Sequence, residues 1–144
     1  MIKVLFVCLG NICRSPMAEL ILKDLVAKAG RSADFEIASR AVSSEEAGNP
    51  IYPPARRELE KHGISCPRHA ARKITEADLA HFDHIYYMDS ANRRYLERLF
   101  GEKAAKCRSL LEHDVADPYY YGNFQQTWAD IEEGCHRVAK ELGL

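Results

Sequence analysis

Residues 2–7, Ile2-Lys3-Val4-Leu5-Phe6-Val7, lead without a break into Cys8-Leu9-Gly10-Asn11-Ile12-Cys13-Arg14-Ser15-Pro16. The first six form a continuous β-prone run, the mark of a strand buried on both faces. Gly10 and Asn11 tolerate left-handed dihedrals and so suit a tight loop. Ser15-Pro16 opens a helix, since proline in the first turn surrenders an N–H that has no intrahelical partner. Its apolar stripe is Ala18, Ile21, Leu22, Leu25 and Ala29, and Gly30 ends it.

The same alternation continues outward from this stretch. A second strand is expected at Phe35–Ser39, then an irregular polar segment over 40–52. Pro53-Pro54 start a helix that ends near His62-Gly63. Thr75-Glu76-Ala77-Asp78 reads as a capping box for a short helix. Ile85–Met88 reads as a third strand, and Asp89 caps a helix carrying Ala91, Tyr95 and Leu99. Cys107–Leu111 is a fourth strand. The last helix carries Phe124, Trp128, Ile131, Cys135, Val138 and Leu142 at clean helical spacing. Strands alternating with helices predict an α/β fold with a parallel sheet covered on both faces. No linker, repeat or low-complexity tract interrupts the chain, so one domain over residues 1–144 is expected. In such sheets ligands bind beyond the carboxyl ends of the strands, which directs attention to Cys8.

The chain has 144 residues, 47% of them hydrophobic and 28% charged, with a formal charge of −1 and five cysteines. That length buries a core without disulfide staples. The near-neutral balance argues against nucleic-acid or anionic-membrane partners, which usually demand a basic excess. No apolar run approaches the ~20 residues of a bilayer span. Met1–Val7 is too short for a signal peptide and lacks a small-residue cleavage site. An odd number of cysteines without an export signal predicts a cytoplasmic protein with free thiols. The six histidines show no metal-ligand spacing, so neither a metal nor another cofactor is expected.

Cys8 and Arg14 form Cys-x5-Arg, the spacing of cysteine-dependent phosphatases. The spacing alone is weak, and Cys66-Pro67-Arg68-His69-Ala70-Ala71-Arg72 fits it too. Context separates them. A loop that cradles a phosphate dianion must turn several backbone N–H groups inward and end at a helix N-terminus. The loop after Cys8 has Gly10 and Asn11 and runs straight into a helix; the loop after Cys66 has Pro67 and no glycine. Free cysteines commonly serve as buried filler, and Cys66, Cys107 and Cys135 are read so. At Cys8 the residues point to chemistry. Inward amides over Leu9–Ser15, the helix dipole, Arg14 and the Ser15 hydroxyl all favour a thiolate. Arg14 can grip two phosphoryl oxygens in a planar fork. The thiolate would then attack phosphorus and form a cysteinyl-phosphate.

Covalent phosphoryl transfer also needs an acid for the leaving oxygen and a base for water. Asp117-Pro118-Tyr119-Tyr120-Tyr121-Gly122 follows the fourth strand, on the same edge of the sheet as Cys8. Asp-Pro is by itself a generic turn signal. Paired with a Cys-Arg loop, Asp117 becomes the acid of choice, with Asp114 the weaker candidate and the tyrosines suited to an aromatic substrate.

The segment from Val7 to Glu19, Val-Cys-Leu-Gly-Asn-Ile-Cys-Arg-Ser-Pro-Met-Ala-Glu, resembles the signature of low-molecular-weight protein tyrosine phosphatases. Asp117-Pro118-Tyr119-Tyr120 resembles that family's general-acid loop. The match continues through His62-Gly63-Ile64, His69–Arg72 and Met88–Asn92. The resemblance implies a three-layer, flavodoxin-like sandwich of the phosphotyrosine protein phosphatase I type with a four-stranded parallel sheet. It implies metal-free hydrolysis of phosphotyrosine in the cytoplasm, with a phosphotyrosine-containing protein or peptide as partner. Family members are monomers or self-associate weakly. Cys8 would be the nucleophile, Arg14 the phosphate-binding residue, and Asp117 acid and then base. Asn11, Ser15, Ser39 and His69 match positions that support the loop, and Leu9, Glu45, Tyr119 and Tyr120 match the substrate wall.

The chain departs from the family pattern at Glu45, where a neutral and often aromatic residue is common, and Glu46 follows it. An acidic rim would repel an acidic substrate, unless both side chains simply face solvent. Two related activities share the fold. An arsenate reductase needs further cysteines near the third strand, and positions 82–92 have none. A protein arginine phosphatase is associated with threonine in mid-loop, where this chain has Ile12. An inactive phosphate-binding module would need no acid. Cys13, five residues from Cys8, either packs beneath the loop or forms a reversible disulfide that shields the nucleophile from overoxidation.

Overall fold

The computed structural model describes all 144 residues. The first strand, β1 (Ile2–Cys8), lies between β2 (Phe35–Ala41) and β3 (His84–Tyr87), and β4 (Cys107–Ser109) completes the sheet beyond β3. All three pairings are parallel, giving the order β2-β1-β3-β4. The helices between them are α1 (Arg14–Lys28), α2 (Pro53–Lys61), α3 (Glu76–His81), α4 (Ser90–Phe100), α5 (Pro118–Tyr121) and α6 (Phe124–Glu141).

The uninterrupted apolar run of β1 is explained by its central place. Val4, Leu5, Phe6 and Val7 are all fully buried, and their side chains alternate between two cores. Val4, Phe6 and Cys8 join Met17 and Leu22 of α1, Leu59 of α2, and Trp128, Ile131 and Val138 of α6 on one face. Leu5 and Val7 join Leu79 of α3 and Leu96 of α4 on the other. The result is the expected three-layer α/β sandwich, which sets the end of β1 at the centre of the sheet's carboxyl edge.

Several sequence expectations shift. β2 runs on to Ala41, because Ala41 also bridges to Lys73 and gains a second neighbour. β4 stops at Ser109, and Leu110 and Leu111 leave the ladder to pack in the larger core. The expected α4 stripe of Ala91, Tyr95 and Leu99 is off by one position. The buried pair is Asn92 and Leu96, and Leu99 is 38% exposed. Asn92 is inside because it is half of a capping box with Asp89, and that polar work fixes the helix's rotation. Ala29 is exposed, beyond the last helical residue of α1. Of the three filler cysteines, Cys135 is fully buried, whereas Cys66 and Cys107 are half-buried at the margins of the two cores.

Gly134, inside α6, carries a packing constraint. A Cβ there would stand 2.4 Å from Leu110 Cγ and 2.7 and 2.8 Å from its two methyls. Glycine in a helix interior costs about 1 kcal/mol against alanine, so the close approach of the segment after β4 outweighs propensity. Gly134→Ala is expected to lower unfolding stability in urea by about 1–3 kcal/mol despite its better propensity. Adding Leu110→Ala should recover part of that loss, giving a double mutant less destabilised than the sum of its singles.

Candidate active site

The loop between β1 and α1 is organised by where its carbonyls go. The carbonyl of Cys8 accepts from Val42 N–H (2.9 Å), that of Leu9 from Ser43 N–H (3.2 Å), and that of Ile12 from Tyr52 N–H (2.9 Å). Ser43 Oγ also donates to the Leu9 carbonyl (2.9 Å), and His69 Nε2 lies 2.7 Å from the Asn11 carbonyl. In a trans peptide the next N–H points opposite to the carbonyl. Carbonyls held outward therefore turn the following amides inward. The N–H groups of Leu9, Gly10, Ile12 and Cys13 donate to no protein acceptor, and those of Asn11 and Ser15 reach Cys8 Sγ at 3.3 and 3.4 Å.

This path requires one residue in the left-handed region, and it is Asn11, at φ 60°. Gly10, expected to share that role, does not have a positive φ. Its value is space, because a Cβ would meet Glu46 Cγ at 3.1 Å. Asn11 is 1% exposed, and all its polar atoms are engaged. Oδ1 accepts from Arg72 N–H (3.2 Å), which fixes the amide's orientation. Nδ2 then donates to both Ser15 Oγ (2.8 Å) and Ser39 Oγ (3.0 Å). The Ser39 hydroxyl in turn donates to Glu19 Oε1 (2.6 Å). With Asn11 occupying it as acceptor, the Ser15 hydroxyl keeps its proton for Cys8 Sγ, 3.1 Å away, or for the Arg40 carbonyl at 3.3 Å. The sulfur thus sits among donors, at the N-terminus of α1, an arrangement that favours negative charge.

Arg14 is 1% exposed. Its Nη1 donates to Asp89 Oδ2 (2.6 Å) and the Val115 carbonyl (2.7 Å), and Nη2 to Asp117 Oδ2 (3.3 Å). Nε has no protein partner. Burial alone would weaken the charged form, but Cys8, Asp117 and Asp89 outweigh it and hold the guanidinium more firmly protonated than usual. Cys13 behaves oppositely: burial first, then the neighbouring Cys8 and Asp117, push its thiol far up, so it stays protonated.

One pocket, about 360 Å³ of empty space, is lined by Cys8, Leu9, Gly10, Ile12, Cys13, Arg14, Glu45, Glu46, Asp117, Tyr119 and Tyr120. The structure thus brings together the expected Cys8, Arg14 and Asp117 with Leu9, Glu45, Tyr119 and Tyr120. Asn11, Ser15, Ser39 and His69 stand behind the loop. Asp117 lies in the segment expected as a loop, but the residues after it form the single turn α5, which Asp117 Oδ1 caps through Tyr119 N–H (3.1 Å). Gly122, at φ 74°, ends that turn and frees Asn123 to cap α6. Asp114 is spent elsewhere, accepting from Ser90 N–H (3.1 Å) and Ser90 Oγ (3.0 Å). The decoy Cys66 lies in a segment, residues 64–72, with neither strand nor helix. Glu46 is not a freely solvated side chain, since it packs on Gly10 and accepts from Asn49 Nδ2 (2.6 Å). No cluster of three or more His, Cys, Asp or Glu side chains is arranged for a metal ion.

Sequence reasoning read Asp89 only as a helix cap. It is that, accepting from Asn92 N–H (2.8 Å), but its other oxygen holds Arg14. Its position two residues after the end of β3, on the same edge as Cys8, was the available signal. Glu19 and the Val115 carbonyl were also missed. A carbonyl has no sequence signature, and Glu19 reads as an ordinary helix surface residue.

A family model described as low molecular weight phosphotyrosine protein phosphatase matches residues 3–143. The chain is 41% identical over 150 aligned residues to the low molecular weight protein-tyrosine-phosphatase YfkJ of Bacillus subtilis, covering 99% of this chain and 96% of that one. It is 42% identical to the rat low molecular weight phosphotyrosine protein phosphatase, with 95% and 90% covered. The crystal structure of the Streptococcus pyogenes low molecular weight protein tyrosine phosphatase superposes with a TM-score of 0.93 at 37% identity, covering 100% and 95% of the two chains. A Drosophila arginine phosphatase gives 0.88 at 32%, covering 99% and 98%.

Asn11→Ala should disturb the loop twice, by placing alanine in a left-handed conformation at about 1–2 kcal/mol and by leaving Ser15, Ser39 and the Arg72 N–H short of partners. We expect a total loss above about 2 kcal/mol in chemical unfolding. Asn11→Gly relieves only the backbone term, so it should unfold between wild type and Asn11→Ala.

Proposed function

The chain belongs to the low molecular weight phosphotyrosine protein phosphatase family, and on that premise we propose that it hydrolyses protein phosphotyrosine through a phosphoryl group carried on Cys8. The observation that supports this most is the meeting of Cys8, Arg14 and Asp117 in one pocket at the carboxyl edge of the sheet.

In this reading the phosphoryl oxygens settle among the inward amides of Leu9–Ser15, with the Arg14 guanidinium on one side. Cys8 Sγ attacks phosphorus in line with the phenolic oxygen. As the P–O bond breaks, protonated Asp117 delivers its proton to that oxygen, and tyrosine leaves neutral. Asp117, now a carboxylate, takes a proton from water as the water attacks the phosphocysteine. The S–P bond breaks, inorganic phosphate leaves, and the thiolate and protonated Asp117 return. Asp89 keeps Arg14 charged and oriented throughout. Leu9, Tyr119 and Tyr120 supply an aromatic-sized wall.

A second reading is phosphoarginine hydrolysis. Glu45 and Glu46 line the same pocket and complement a guanidinium, and the chain is similar to the Drosophila arginine phosphatase. Against it, Ile12 offers no hydroxyl to the substrate. We assign the chain to the cytoplasm on its free thiols, as a monomer or weak self-associate without nucleic-acid or membrane partners; no helix is long and apolar enough to cross a membrane. Cys13, buried beside Cys8, is the resolving thiol we propose once a peroxide has oxidised Cys8 to a sulfenic acid: Cys13 gives up its proton to the departing hydroxide as its sulfur attacks the Cys8 sulfur, so that water leaves and the disulfide forms.

Turnover of an aryl phosphate is expected to vanish in Cys8→Ser, to fall about 10²- to 10⁴-fold in Asp117→Asn, and to be unaffected by chelator. Activity surviving Cys8→Ser would refute the thiolate route. Phosphotyrosyl and phosphoarginyl peptides compared side by side separate the two substrate readings, with the phosphotyrosyl peptide expected to win. Mass spectrometry after mild peroxide should find a Cys8–Cys13 crosslinked peptide, and its absence would remove the redox role.

A further inference from the structure

The catalytic pocket is not closed on the α4 side. It continues into a larger groove, about 1160 Å³ of empty space, and the two share Leu9, Arg14, Asp117 and Tyr120. The walls of the groove are the first turns of α4, with Ala91 and Tyr95, and the segment from Asp114 to Ala116, with Tyr121 at the rim. Its apolar side chains suit the stem of a peptide residue rather than water alone.

The charges along the groove are unequal in availability. Arg14 is bound to Asp89 and Asp117, so those three are mutually occupied. Asp114 is latched to the Ser90 N–H and hydroxyl. Arg93 pairs with Glu97 (3.5 Å), and Arg98 lies over the Tyr95 ring. Arg94 differs: it lines the groove, is exposed, and has neither a hydrogen-bond partner nor a salt bridge in the protein. Away from the groove, Glu45 and Glu46 line the catalytic pocket but not the groove itself. A phosphotyrosine seated over Cys8 therefore has carboxylates to one side and an unpaired guanidinium to the other.

We propose that the α4 groove is a subsite for the residue flanking the phosphotyrosine of a peptide substrate, and that Arg94 makes it select an acidic side chain there. The inference rests on the phosphotyrosine reading and deepens it. Substrates would be phosphopeptides of polarised charge, acidic on the α4 side and neutral or basic on the Glu45 side. Two features argue for a flanking acid as the occupant: the groove is continuous with the catalytic pocket, and of the two cations that line it Arg94 is the one without a protein partner, while Asp114, the unpaired carboxylate of the lining, is already engaged by Ser90. Arg94 touches no reacting atom, so it is a specificity residue and not a catalytic one. The contact is exposed, so its strength should be that of a surface ion pair and should fade with salt.

The test compares phosphotyrosyl peptides of one length that are neutral, acidic N-terminal to the phosphotyrosine, or acidic C-terminal to it, with a small aryl phosphate as control. Wild type should favour one of the two acidic peptides over the neutral one by about two- to fivefold in kcat/KM, through KM. Arg94→Glu should abolish or invert that preference while leaving aryl phosphate turnover unchanged, and Arg94→Lys should retain most of it. Binding of the same peptides to Cys8→Ser by fluorescence anisotropy should reproduce the ranking without turnover. If Arg94→Glu leaves the ranking of the peptides as in wild type, the subsite assignment is overturned. If wild type turns over arylphosphate but no phosphotyrosyl peptide, the substrate reading fails, and the subsite with it.

Discussion

A guanidinium inside a protein is a severe demand, since a buried cation must be paired and hydrogen-bonded to be tolerated. Arg14 meets that demand with two carboxylates and a carbonyl drawn from two separate stretches of chain, Asp89 after β3 and Val115–Asp117 after β4. The pairing ties the start of α1 to the cap of α4 and to the segments before and after Asp117. The carboxyl edge of the sheet is thus closed around one charge. The two carboxylates are not equivalent. Asp89 is close to Arg14 and also caps α4, whereas Asp117 is farther, at 3.3 Å, and anchors only a single helical turn. In the proposed chemistry that division has a use: Asp89 holds the charge, and Asp117 can gain and lose a proton without releasing Arg14.

The second constraint is directional. Hydroxyl groups can donate or accept, so a chain of them has two possible polarities. Here the Arg72 N–H sets the orientation of the Asn11 amide, and Glu19 can only accept when ionised. Both Ser15 and Ser39 consequently receive hydrogen bonds from Asn11. The proton of Ser15 is left for the sulfur or for the Arg40 carbonyl, so the hydroxyl can donate to Cys8 Sγ. Glu19, half-buried between α1 and β2, thereby helps to set the polarity of a network that ends at Cys8.

How much of this was legible depended on whether a residue's role was local. The run Val4–Val7 disclosed a doubly buried strand because burial on both faces removes alternation. The Thr75-Asp78 capping box was visible because both partners lie within one turn, and Asp89 was visible as a cap, though its partner Asn92 was not. Rotation of α4 was not, since apolar periodicity favoured Ala91 and Leu99 while the capping work of Asn92 decided otherwise. Gly10 misled in a different way: the residue was singled out correctly, but its value is room for Glu46, and the left-handed step falls on Asn11. Pairings such as Arg14 with Asp89, or Ser39 with Glu19, join residues far apart in sequence, and only the parallel order β2-β1-β3-β4 brings them together.

The net charge of −1 takes on a different meaning once the site is drawn. It argued against a broadly basic surface, and the structure explains why a phosphate site needs none. Around the pocket the carboxylates Glu45, Glu46, Asp89 and Asp117 outnumber Arg14. Any attraction for a dianion must therefore act at short range, from the Arg14 guanidinium and from dipoles: amides turned inward by outward-bound carbonyls, the Ser15 hydroxyl, and the end of α1. Such dipoles act over a few ångströms and would hold a phosphoryl group only when it is fully seated. At longer range the carboxylates dominate, and they would discourage free anions from lingering at the mouth. A phosphoryl group attached to a peptide has another way to overcome that field, because contacts made elsewhere on the peptide can help to bring it in. A site built in this way would favour phosphoproteins over small anions through the balance of near and far electrostatics, before any preference that Arg94 adds.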